Sequence, residues 1–170
     1  LTYTTTILHL TPDAQFAISG DDYSTLQWFG PGDAPTEQQI LDAMDAAALA
    51  AARAAKRDEL IAACIAAITA GFTSDALGSN HFYPCQATDQ TNLAAVVIES
   101  LLTPEQTEKL FPFWCYDGAT WERREHTHAQ IRAVGLAAVP HVRDKQDRLR
   151  DLRLQVLAAT TVEQINGIVW

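Results

Sequence analysis

One stretch limits what this chain can fold into more than any other. Residues 35–71 read PTEQQILDAMDAAALAAARAAKRDELIAACIAAITAG. Alanine, leucine, glutamine, glutamate and arginine dominate it, and all are strong helix formers. Thr36 and Gln39 have the spacing of a capping box, in which two residues satisfy each other's backbone N–H groups. Glu37 lies where the helix dipole favours an anion, and Gly71 supplies a stop. The pattern predicts one long helix, on the order of 50 Å if unbroken at about 1.5 Å per residue. Ile40, Leu41 and Met44 make an apolar patch near its start. Leu60, Ile61, Cys64, Ile65 and Ile68 make a stronger one near its end, on one helical face. Between them AAALAAARAA, with Leu49, leaves little side chain to bury. So thin a middle suits a stalk, or a coiled coil of helices from several copies, ahead of a single helix lying on its own domain.

A chain of 170 residues has room for one good core or two small ones. Its apolar fraction of 48% and charged fraction of 19% are ordinary for a folded soluble protein. The net charge is −9, and seven of the 21 acids but one of the 12 bases precede residue 56. Phosphate binding needs a basic face, so nucleic acid is excluded as the main partner, as is an anionic membrane surface. Three cysteines, Cys64, Cys85 and Cys115, make no disulfide framework and fit synthesis in reducing cytoplasm. No apolar run approaches the roughly 20 residues that span a bilayer, which argues against membrane insertion. The opening lacks the basic-then-apolar signature of a secretion signal. It starts on Leu1, so an initiator methionine is expected to have been removed or trimmed.

The fold class expected is α+β and mainly helical: a small β-rich head over 1–34, the long helix over 35–71, and an α+β C-terminal domain over 56–170. The domain boundary falls inside the helix, near Ala55. In the head, residues 2–10 (TYTTTILHL), 15–19 and 23–29 read as a three-stranded meander, since threonine, tyrosine and isoleucine favour strands and Gly20 and Asp13 mark turns. Alone it is marginal. After the helix, 72–76 reads as a turn and 77–85 as a short strand that Pro84 ends. Thr88 or Asp89 opens a helix through Leu102, with Leu93, Val96, Val97, Ile98 and Leu101 largely buried. Thr103-Pro104-Glu105-Gln106 opens another, ending near Leu110. Residues 113–116 and 120–123, about Asp117-Gly118, read as a β-hairpin. His126 or Thr127 opens the last long helix, to about Ala159, with an apolar stripe from Ile131 to Val156 and a bend or break at Pro140. Thr160 to Glu163 cap a final short helix, and Ile165, Ile168 and Trp170 face inward.

Few residues point to chemistry. His126 and His128 are two apart, and on a helix such positions face different ways. They read as surface or capping histidines rather than metal ligands. His9, His81 and His141 stand alone. Cys85 and Cys115 sit beside aromatics and read as buried, unreactive thiols. No nucleophile elbow, phosphate loop or zinc-finger spacing occurs. No catalytic, cofactor-binding or metal residue is therefore expected, and no cofactor. Trp114, Tyr116 and Trp121 cluster on the hairpin. They read first as core aromatics packed against the final helix, and second as a ligand-contacting surface. The candidate interface residues are Trp28, Ile40, Met44, Leu49, Trp114, Tyr116 and Trp121.

The segments KRDELIAACIAAITAGF, Phe82-Tyr83, TDQTNLAAVV, FWCYDGATW and LAATTVEQINGIVW carry a resemblance. Residues 56–170 resemble a domain of unknown function found at the C-terminal end of many bacteriophage tail and tail-fibre proteins. The Trp28 segment followed by PTEQQILDA is similar to tail-fibre assembly proteins and tail-fibre ends. The motifs are short and mainly structural, and the family supplies no catalytic residues. The resemblance implies a virion protein of the tail tip, baseplate or fibre. It would be made in host cytoplasm and act through other phage tail proteins, as a homo-oligomer with a trimer favoured, and in contact with a host surface receptor. A tail-fibre assembly chaperone is the alternative. A depolymerase or wall hydrolase is the third reading, in which Glu122 or Glu125 would act.

Overall fold

Residues 37–69 form one uninterrupted helix, and the rest of the chain is arranged on either side of it in sequence. The computed structural model describes residues 2–170; Leu1, and the expectation attached to it, lies outside them. In chain order the elements are α1 (Tyr3–Leu10), β1 (Phe16–Ala17), a 3-10 turn (Tyr23–Thr25), β2 (Gln27–Trp28), α2 (Glu37–Thr69), β3 (Phe72–Ser74), β4 (His81–Tyr83), α3 (Ala87–Leu102), β5 (Phe111–Tyr116), β6 (Trp121–His126), α4 (His128–Ala158) and α5 (Val162–Asn166). The fold is mixed α+β and mainly helical. Two compact units divide it. One holds the residues up to Arg57 together with Val156–Ile168, and the other holds Asp58–Gln155 and Val169–Trp170. The segment 156–168, read from the sequence with the C-terminal domain, thus groups with the N-terminal residues.

In the first unit the three-stranded meander is not formed. Its first strand is a helix. Thr2 and Thr5 cap each other reciprocally, the Thr2 N–H donating to Thr5 Oγ1 (3.0 Å) and the Thr5 N–H to Thr2 Oγ1 (3.3 Å). The Thr6 hydroxyl donates to Thr2 O at 2.9 Å. Threonines that favour strands on average are here spent on a helix start, and Ile7 is buried. The other two strands shrink to the antiparallel pair β1–β2, with Phe16 opposite Trp28. Thr36 and Gln39 make the reciprocal cap of α2 that their spacing predicts, at 2.8 and 3.2 Å. The alanine-rich middle of α2 is not a bare stalk. Ala52 and Arg53 are half-buried and Lys56 is buried. The Arg53 guanidinium donates to Ala159 O (2.8 Å) and Leu157 O (3.5 Å), joining α2 to the end of α4. Ile7, Ile40, Val156, Ala159, Ile165 and Ile168 are the buried aliphatic residues of this unit among those described.

The second unit contains an antiparallel sheet of order β3-β4-β5-β6. Residues 72–74, read as a turn, are its first strand, because Phe72 and Ser74 face the core while Thr73 pairs with Phe82. Gly71 makes the passage from α2 into β3. Its φ is +91°, and a Cβ there would stand 2.2 Å from the Phe82 ring and 2.7 Å from Tyr83 O. Only glycine fits. The core is Phe72, Tyr83, Phe111, Phe113 and Cys115 from the sheet, with Leu93 from α3 and Ile131 and Val134 from α4.

The segment 103–110 forms turns instead of the expected helix. Thr103 ends α3 rather than starting another helix: its N–H and its hydroxyl both donate to Glu99 O, at 3.1 and 2.9 Å. The His128 ring then holds the turns down, with its nitrogens 2.9 Å from Ser100 O and 3.0 Å from Gln106 O. On α3, Leu93 is buried as expected, but Ile98 and Leu101 are exposed, since the apolar arc is wider than the strip that faces the core. Helix α4 runs unbroken through Pro140. The carbonyl that this proline leaves unpaired is that of Leu136, on a residue open to water.

Candidate functional site

Alternation along a strand sends neighbouring side chains to opposite faces of the sheet. In β5, Phe111, Phe113 and Cys115 are buried while Pro112 and Trp114 are exposed. In β6, His126 is buried and Trp121, Arg123 and Glu125 are exposed. The register places Tyr116 opposite Trp121 on one side and Phe82 on the other, and Phe82 opposite Thr73. A row therefore crosses the outer face of all four strands: Thr73, Phe82, Tyr116, Trp121. Phe82 meets Trp121 edge-to-face at 5.7 Å, and Trp121 meets Tyr116 at 5.5 Å. Trp114 lies two residues along β5 on the same face, opposite Arg123. Trp114 is 51% and Trp121 49% exposed, so both deviate from the first reading of these residues as core aromatics.

The hairpin tip fixes this row. Gly118 has φ +102°, and the Asp117 N–H donates to Thr120 O at 3.3 Å, so Gly118-Ala119 is the centre of the reversal rather than Asp117-Gly118. Asp117 Oδ1 accepts from the N–H groups of Ala119 (2.8 Å) and Thr120 (2.9 Å). Those bonds hold the Asp117 carboxyl below the usual carboxylate range. Its other oxygen accepts from the Arg124 guanidinium, which also meets Glu122 at 3.2 Å. Glu122 and Glu125, the two acids of the hydrolase reading, point to opposite faces of β6.

Beneath the sheet lies a buried polar pair that sequence spacing did not reveal. His126, expected as a surface or capping residue, is fully buried. Its Nε2 is 3.0 Å from Tyr83 Oη, and its Nδ1 is 2.8 Å from Arg124 O. A carbonyl only accepts, so Nδ1 carries the proton and Nε2 accepts from the tyrosine hydroxyl. Burial lowers the His126 pKa and raises that of Tyr83, so both are neutral. Burial likewise raises the thiols of Cys64, Cys85 and Cys115, which are free.

The other expected interface residues lie in the first unit. Trp28 is half-buried, stacks with Phe16 at 6.3 Å and donates from Nε1 to Gly32 O at 3.0 Å. Ile40 is fully buried there, and Met44 and Leu49 are half-buried on α2. The structure brings Tyr116 and Trp121 into ring contact and adds Phe82, whose role the 77–85 strand hinted at only by its bulk. Among the described residues no helix is long and apolar enough to cross a membrane, and no group of three or more His, Cys, Asp and Glu is placed to hold a metal ion.

No curated protein and no solved structure matches this chain. One family does: the family described as a domain of unknown function (DUF4376) matches residues 51–169. That stretch contains the whole four-stranded sheet and both helices that back it. The chain belongs to the DUF4376 family of domains of unknown function.

Proposed function

We propose that this chain is a non-enzymatic structural protein of a bacteriophage tail, in the tip, baseplate or fibre, that binds a neighbouring tail protein through the outer face of its sheet. The observation that carries the reading is the row Phe82, Tyr116 and Trp121 with Trp114 beside it, half of each indole open to solvent on a hydrogen-bonded sheet. Tryptophan and tyrosine are the residues that most often anchor protein interfaces, because they bury much area with few rotatable bonds. The resemblance of residues 56–170 to the C-terminal domain of phage tail proteins supplies the setting. In that setting the chain resides in the virion tail as a homo-oligomer, a trimer by the habit of fibres, with host attachment as the downstream role.

Quantitative mass spectrometry of purified particles tests it. The expected result is near-stoichiometric presence at a small multiple of the tail symmetry, lost when Trp114 and Trp121 are both replaced by alanine. Absence from particles, with recovery alongside fibre protein from infected cells, would instead make the chain a fibre-assembly chaperone.

A further inference from the structure

A second surface, away from the aromatic row, has the chemistry of a small-molecule site. Helices α3 and α4 flank a cleft of about 690 Å³, within the range of ligand pockets. Its floor is Phe72, Cys85 and Leu93, all buried. Leu101 and Leu136 stand on its walls and are 56% and 73% exposed, with Val139 beside them. The helices close on each other at Gly135, where a Cβ would stand 2.9 Å from Val97 Cγ2. So much apolar surface in one concavity marks a place where something binds.

The polar groups at the cleft decide what binds. Most are already committed. Arg132 donates from Nε to Ser100 Oγ at 3.0 Å and from a terminal nitrogen to Ser100 O. Asp89 Oδ2 accepts from the Gln86 N–H at 2.9 Å, and Gln90 Nε2 donates to Cys85 O at 3.0 Å. Arg143 and Gln146 are different: both are exposed at the cleft and have no side-chain partner among the described residues, and of the two only Arg143 is charged. We propose that the α3/α4 cleft binds a free amphipathic anion, its aliphatic chain on the apolar walls and its carboxylate on Arg143. A cationic head would meet a like charge there, and a neutral chain would leave the guanidinium unused. The molecule carries −9 overall, so its long-range field attracts cations. A preference for an anion is therefore a signature of this site and not of the surface at large.

Titration calorimetry of the full chain with dodecanoate, dodecanol and dodecyltrimethylammonium, each below its aggregation concentration, tests this. Dodecanoate binds saturably at one site, and the cation binds at least about tenfold more weakly. Arg143→Gln weakens dodecanoate about tenfold and leaves dodecanol unchanged. Val139→Trp, at an exposed position on the cleft wall, weakens both tails while the thermal unfolding curve stays in place. The double change Trp114→Ala and Trp121→Ala leaves dodecanoate binding intact, which separates this site from the proposed tail interface. Equal affinity for the two charged heads, or binding that survives Val139→Trp, overturns the assignment. No saturable binding, together with a dimer that Leu136→Asp dissociates, overturns it in favour of a second copy of the chain as occupant.

Discussion

The two faces of the β3–β6 sheet carry the same kinds of residue on alternate positions. Tyr83, Phe113 and Cys115 point inward; Phe82, Trp114 and Tyr116 point outward. What separates them is the cover. Leu93 of α3 with Ile131 and Val134 of α4 close over the inner face, while the outer face keeps two half-exposed indoles. Aromatic content alone therefore does not distinguish a core from a recognition surface in this chain. Inward aromatics stabilise the fold by leaving water and by filling space. Outward ones stabilise it little, and their retained apolar area is available to a partner.

Alanine substitution at neighbouring positions of β5 breaks or confirms this contrast most directly. Phe113→Ala empties a packed position and is expected to cost about 3–5 kcal/mol in urea unfolding. Trp114→Ala, one residue on, is expected to change stability by no more than about 0.5 kcal/mol. A comparable loss at both positions would mean that the outer face is covered in solution.

The inner face is also distinguished by its polar pair. Tyr83→Phe keeps the ring that stacks on Phe72 at 5.6 Å but removes the donor to His126 Nε2. Leaving that buried acceptor unmatched is expected to cost about 1–3 kcal/mol. The same pair gives a pH dependence with a definite sign. Burial lowers the folded-state pKa of His126, so the unfolded chain takes up a proton at about 6.5 while the folded chain still excludes it. This contribution is fully present above that value and is lost as pH falls from it toward the folded pKa. Urea midpoints should drop between pH 7.5 and 5.5, and the His126 ring resonances should titrate below about 6.5. A ring that titrates at or above that value would mean that water reaches His126.

The sequence made some of this legible and hid the rest for physical reasons. Helix α2 was readable because its signals are local: helix formers in an unbroken run, and two residues, Thr36 and Gln39, whose side chains answer each other's N–H groups. The hairpin was readable from its turn glycine and aromatic flanks. The first helix was not, since threonine's average strand preference says nothing of a hydroxyl used as a cap, and burial of Ile7 is decided by the rest of its unit. Alternation in β5 was visible, but alternation is symmetric. Which face turns inward depends on where helices α3 and α4 pack. His126 departs from its expected place for a different reason: the two-residue spacing from His128 points to different faces only on one helix, whereas His126 ends β6 and His128 begins α4. On α3 the apolar pattern was correct as a pattern, yet it could not show that Leu101 lines an open cleft.

The smallest expected effect tests the outer row itself. Tyr116 and Trp121 face each other across β5 and β6 with ring centroids 5.5 Å apart, and Phe82 adds an edge-to-face contact on Trp121. Cross-strand aromatic pairs of this kind are worth about 0.2–1 kcal/mol. A double-mutant cycle with Tyr116→Ala and Trp121→Ala should return a coupling energy in that range, small beside the loss at Phe113. A coupling near zero would mean that the rings sit side by side without cooperating, so that each meets a partner independently. A coupling well above about 1 kcal/mol would mean that the row acts as part of the core, and the contrast between the two faces would fail at this pair.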